Sequence, residues 1–135
     1  MFDITQLESA DTSILHLKGP DEEPLVADGK PVTITLYGPG SDPFVAAEAK
    51  RTNRALTRSR RKIDLNADLV RADHVEFLAS VTASIENLEY SPAEGSTGYE
   101  FAKALYSDRK LGWIVDQVTT HLGDYANFKK SSPLS

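Results

Sequence analysis

The sequence predicts an α+β domain, with a small N-terminal antiparallel β-meander followed by about four helices. Three observations lead there. Two runs in the region of residues 13–37, "SILHLKG" and "PVTITLYG", alternate with period two, the spacing of half-buried strands. Beyond Pro43 the apolar residues recur at three and four, the spacing of one helix face. Between the two regimes stands "GPGSDP", a cluster of turn and helix-start residues.

In "SILHLKG", Ile14 and His16 share one face, and Leu15 and Leu17 the other. In "PVTITLYG", Val32, Ile34 and Leu36 oppose Thr33, Thr35 and Tyr37. The segment between them carries Asp28-Gly29, a turn signal because glycine accepts positive φ without a Cβ clash. "EPLVA" adds a short strand. Asp42 suits an N-cap and Pro43 a first helical position, where the missing N–H is no loss. A helix then runs from Pro43 to about Lys62. Its projection puts Val45, Ala49, Thr52, Leu56, Ser59 and Ile63 on one face and Arg51, Arg54, Arg58 and Arg61 opposite, which predicts a thin apolar stripe with a cationic back.

Asn66 caps a second helix over about Ala67–Val81, with Val70, His74, Phe77, Leu78 and Val81 on its apolar side. "SVTASI" fits helix or strand, "NLEY" reads as extended and "SPAEGS" as a loop. Thr97 and Glu100 have capping-box spacing before a third helix ending near Tyr106. The fourth starts near Asp108, buries Leu111, Ile114, Val115, Val118 and Leu122, and stops at Gly123. The chain of 135 residues suits one domain, placed at residues 1–128, with 129–135 as a flexible C-terminal tail.

Composition narrows the function classes. At 40% hydrophobic and 26% charged, the chain is globular in type and has no run long enough to span a membrane. It has no cysteine, which removes disulfides, thiolate zinc sites and a cysteine nucleophile. The opening "MFDITQLESAD" is acidic without an apolar core, so the expected compartment is the cytoplasm. "GPGS" lacks the Lys-Ser/Thr of a phosphate loop and reads as a strand-to-helix turn. His16, His74 and His121 have no ligand spacing, "HVEF" is not HExxH, and His74 reads as a packed histidine. A Ser-His-Asp triad is spatial and leaves no fixed spacing, but no GxSxG elbow favours one. No catalytic, cofactor or metal residue is assigned.

The strongest local feature is "KRTNRALTRSRRK", residues 50–62. It holds seven of fifteen basic residues and no acid, so its +7 stands against −12 for the rest and a net charge of −5. A solvated helix face is the simplest account. A nucleic-acid site would call for interleaved aromatics or a paired helix, and the acidic "IDLNADLVRADHVE" that follows repels phosphate. A protein contact fits better: a neighbouring copy presents acidic surface to Arg51, Arg54, Arg58 and Arg61, which predicts a homo-oligomer. Tyr125 and Phe128 are candidate anchors on a partner, or else fold back onto the fourth helix.

"GKPVTITLYGPGS", "VEFLAS", "GYEFAKALYSD", "LGWIVDQV" and "GDYANF" occur in an order that resembles the tail assembly chaperones of long-tailed, non-contractile bacteriophages. The resemblance spans about Asp11 to Phe128 and includes no catalytic signature. It implies a non-enzymatic protein of the infected host cytoplasm, absent from the mature virion, that coats the tape measure protein and recruits tail tube subunits. It also implies a minor, longer form made by ribosomal frameshift. Lys129-Lys130 can be encoded by an adenine run and is the candidate slip position. The alternatives are another phage morphogenesis component, a tail terminator or head–tail connector, and a small nucleic-acid-binding protein using helix 50–62.

Overall fold

In the computed structural model, which describes residues 1–129, the alternation of Thr33–Tyr37 becomes the middle strand of a three-stranded antiparallel sheet. With strands numbered along the chain, Thr12–His16 is β1, Val26–Ala27 β2, Lys30–Pro31 β3, Thr33–Tyr37 β4 and Thr82–Glu86 β5. The sheet order is β1-β4-β5, and β2 and β3 form a separate two-stranded hairpin. Ile34 and Leu36 are fully buried, as are Leu17 and Val81, while Ile14 and His16 face outward. The expected faces of β1 and β4 are therefore the observed ones. Asp28 and Gly29 both have positive φ, 53° and 75°, the geometry of a two-residue hairpin turn.

The sheet is not completed by residues 13–37 alone. Its third strand is "TASIE", which follows the second helix and pairs with β4. The open choice at "SVTASI" resolves as strand because β4 offers a free edge there and Val81 is drawn into the core.

Four helices follow the expected order: α1 Asp42–Arg60, α2 Ala67–Ser80, α3 Gly98–Ser107 and α4 Gly112–Leu122. Asn66 caps α2 by accepting from the Leu69 amide at 2.9 Å. Two predicted caps change. Ser41, not Asp42, occupies the N-cap of α1, and Asp42 lies in the first turn with Pro43. Thr97 sits at the N-cap of α3, but its side chain makes no capping bond. Helix α1 ends in a tight reversal: Lys62 takes φ 54°, its amide donates to Ser59 O and the Ile63 amide to Arg58 O.

The core lies between the sheet and α2, α3 and α4. Leu78, Ala102, Leu105, Tyr106, Ile114 and Val118 fill it. Tyr106 is fully buried, and its hydroxyl is 2.8 Å from Thr82 Oγ1. Phe128, in a short 3-10 turn over Tyr125–Phe128, closes one end and is also fully buried. It packs edge-to-face on His121 at 5.7 Å and covers Gly38. A Cβ at Gly38 would collide with Ala10 O and stand 2.9 Å from the Phe128 ring, so only glycine fits under this closure.

Candidate functional site

Helix α1 faces its neighbour the other way round from the expectation. Val45 and Leu56 of the predicted stripe are 53% and 48% exposed, and Ala49, Thr52 and Ser59 are exposed too. The side that meets α2 carries Phe44, Ala47, Arg51, Arg54 and Arg58. The reason lies on α2, which presents Asp73, Glu76 and Phe77. A stripe of one valine, one leucine and small residues offers less than carboxylates and a ring offer to arginines, whose methylene stems also pack on apolar surface.

Arg58 makes a two-pronged pair with Asp73: Nη1 donates to Oδ2, and Nη2 donates to Oδ1 at 2.9 Å. Arg54 Nε donates to the same Oδ1 at 3.3 Å, and its Nη1 is 3.2 Å from Glu76 Oε2. Lys103 of α3 approaches the other oxygen of Glu76 at 3.9 Å. The Arg51 guanidinium lies 4.8 Å from the centre of the Phe77 ring, which Phe44 meets edge-on at 5.3 Å. The hydrogen bond from Arg58 holds the Asp73 carboxyl below the usual range against the opposing effect of burial, and raises the guanidinium in return. Arg54 Nη2 is buried without a hydrogen-bond partner among the described residues, so its fork is only partly matched.

The residues expected to bind a partner thus divide. Arg51, Arg54 and Arg58 are engaged within the molecule. Arg61, at the end of α1, is exposed, and Tyr125 is 72% exposed. Phe128 is core and presents nothing to a partner, because folding the last turn over Gly38 buries it. Lys129 pairs with Ser9 in an isolated antiparallel bridge. Lys130, the other candidate slip position, lies outside the described residues.

Two exposed apolar features lie apart from these residues. Phe2, Ile4 and Leu7 are 69%, 67% and 68% exposed. At the tip of the α1–α2 hairpin, Ile63, Leu65 and Val70 line a shallow groove with Arg51, Arg58 and Asp73. On the predicted apolar side of α2, Phe77, Leu78 and Val81 are buried as expected, joined by Val75 and Ala79, but Val70 in the first turn is 54% exposed. The signal for the first feature was composition: four large apolar residues in the seven of "MFDITQL".

The histidines join elements. His74 Nε2 is 2.9 Å from Thr119 Oγ1, linking α2 to α4, and burial lowers its pKa. His121 Nε2 is 2.8 Å from Ser13 Oγ, linking α4 to β1, and burial lowers its pKa against the pull of Asp124. The Ser13–His121 spacing is within reach for proton transfer. Asp124, however, accepts from the Ala126 amide at 3.0 Å, and among the described residues no carboxylate bonds the other ring nitrogen. Among those residues no group of three His, Cys, Asp or Glu side chains could hold a metal ion, and no helix is long and apolar enough to cross a membrane.

Comparison with protein-family models finds none that matches the chain, and no curated protein or solved structure matches it either.

Proposed function

We propose that this protein is a tail assembly chaperone of a long-tailed bacteriophage, acting by surface contact alone. It holds the tape measure protein soluble in the host cytoplasm and helps bring tail tube subunits to it. It acts in several copies, without cofactor or catalysis. The observation that carries this reading is the order of the five resembling stretches from "GKPVTITLYGPGS" to "GDYANF". They supply Leu36, Leu78, Leu105, Ile114 and Phe128 to the core, so the likeness is one of framework. Exposed apolar residues at Phe2–Leu7 and at the α1–α2 tip suit a protein that works by surface contact in several copies. Engagement of Arg54 and Arg58 with carboxylates leaves fewer cations for phosphate and weakens the nucleic-acid alternative.

The test is co-expression of the native gene, with its own downstream DNA, alongside a tape measure protein from the same genome. The expected result is a soluble complex of the two and a minor longer product sharing this N-terminus and diverging near Lys129-Lys130. An insoluble tape measure protein together with a single product would remove the reading.

A further inference from the structure

The first apolar feature is a preformed knob. Ile4–Leu7 is one 3-10 turn that buries none of its residues. Asp3 caps it, accepting from the Thr5 amide at 3.0 Å, and the Gln6 and Glu8 amides close it onto Asp3 O and Thr5 O. In a 3-10 turn residues three apart eclipse, so Ile4 and Leu7 project together. The base of the knob is fastened: the Ala10 amide donates to Phe128 O at 2.6 Å, and Ser9 bridges to Lys129. A shape already formed loses little freedom on docking.

The second feature is a receptor of matching chemistry. Ile63, Leu65 and Val70 line the groove and are 46%, 65% and 54% exposed. Val70 also lines an adjoining groove with Ala67, Val115 and Tyr106, so the apolar surface continues across α2. Beside it the end of α1 exposes Arg60, Arg61 and Lys62. Asp64 and Asp68 stand nearby, and Asp68 lies 3.6 Å from Arg109. The segment from Phe2 to Asp11 has no basic residue and exposes Asp3 and Asp11. An apolar knob on an acidic segment therefore faces, in chemistry, an apolar groove beside a cationic helix end.

We propose that the Phe2–Leu7 knob of one copy docks in the α1–α2 tip groove of a second copy. Knob and groove are different surfaces of the same chain, so the contact is heterologous: each copy fills one groove and offers one. Repeated, it makes a ring or an open chain of copies rather than a closed pair. This rests on the several-copy part of the proposed function and would suit coverage of a long client, but its test needs this chain alone.

Sedimentation velocity on the full chain, over a concentration series at low and high salt, reads the association. Two double variants accompany it: Ile4→Asp with Leu7→Asp removes the knob, and Leu65→Asp with Val70→Asp removes the groove. All four positions are exposed, and circular dichroism checks that each variant keeps its fold. Wild type is expected to grow in size with concentration, less so at high salt. Each variant alone should associate about tenfold or more weakly. Mixed in equal amounts they should form a heterodimer and stop, because one intact knob meets one intact groove. A monomeric wild type, a variant that assembles like wild type, or a mixture that stays monomeric would each overturn the proposal. So would a groove variant that loses tape measure binding while still self-associating, since the groove would then belong to the client. A normally assembling wild type that ignores the tape measure protein would count against the proposed function alone.

Discussion

The two faces of α2 hold the molecule together by different means. Its inward face, with Val75, Leu78 and Ala79, is apolar and meets the sheet and α3, while Phe77 meets Phe44 of α1. The face toward α1 works largely through charge, with Asp73 and Glu76 receiving Arg54 and Arg58. Apolar burial contributes about 25 cal/mol for each Å² removed from water. Ion pairs that keep some solvent access contribute about 0–1 kcal/mol each. The core is therefore the stable half and α1 the loosely held one. The first tolerates little change of shape, and the second responds to salt and pH.

Phe128→Ala should give the largest effect, about 3–5 kcal/mol, because it empties a fully buried aromatic site. Chemical denaturation reads it directly, and a loss under about 1 kcal/mol would mean the closing turn is not part of the core. Gly38→Ala follows at about 1–3 kcal/mol, since the added methyl meets Ala10 O and the Phe128 ring.

Tyr106→Phe should cost about 0.5–1.5 kcal/mol at neutral pH. The cost is modest because Thr82 Oγ1 keeps its bond to Leu78 O at 2.8 Å. Burial pushes the Tyr106 hydroxyl up to about 12, so folding favours its protonated form. That contribution is complete below about pH 10, the ordinary tyrosine value, and is lost as pH rises through the native one. The stability advantage of wild type over Tyr106→Phe should shrink as pH rises from about 10 toward 12, and a difference that stays constant across that range would contradict the burial.

The smallest global effect, and the most local, belongs to Asp73→Asn. It should speed amide exchange along α1 while leaving α3 and α4 protected, and added salt should do the same to wild type more weakly. The lowered Asp73 carboxyl gives a stabilisation that is complete above its ordinary value near 3.9 and lost as pH falls through the native one. His74 and His121, lowered by burial, lose theirs earlier, as pH falls from about 6.5 through their own native values. Acid should thus loosen α1 and the α4 contacts, and alkali the core at Tyr106. Uniform exchange across all helices at low pH would break the contrast.

The sequence carried most of the fold. Alternation placed Val32, Ile34 and Leu36 inside because a strand with one buried face shows its pattern directly. Asp28-Gly29, Asn66 and Gly123 marked a turn and helix ends through local geometry alone. What escaped depended on partners distant in the chain. "SVTASI" became strand because β4 had an open edge, and α1 turned its arginines inward because of residues on α2. Four arginines on one face look like a solvated or partner-binding surface until the neighbouring carboxylates are placed. The candidate site was accordingly read on Arg51, Arg54, Arg58 and Phe128, which the fold engages, while the Phe2–Leu7 knob and the tip groove went unassigned.

The closure of Phe128 over Gly38 also bears on how the chain is born. Translation delivers Gly38 and strand β4 early, but the ring that covers them arrives only after all four helices have been made. Until then one end of the sheet is an open apolar slot at the ribosome. A growing chain in that condition is a ready substrate for cellular folding helpers and for aggregation. A protein proposed to shelter another would itself need shelter until its last aromatic emerges.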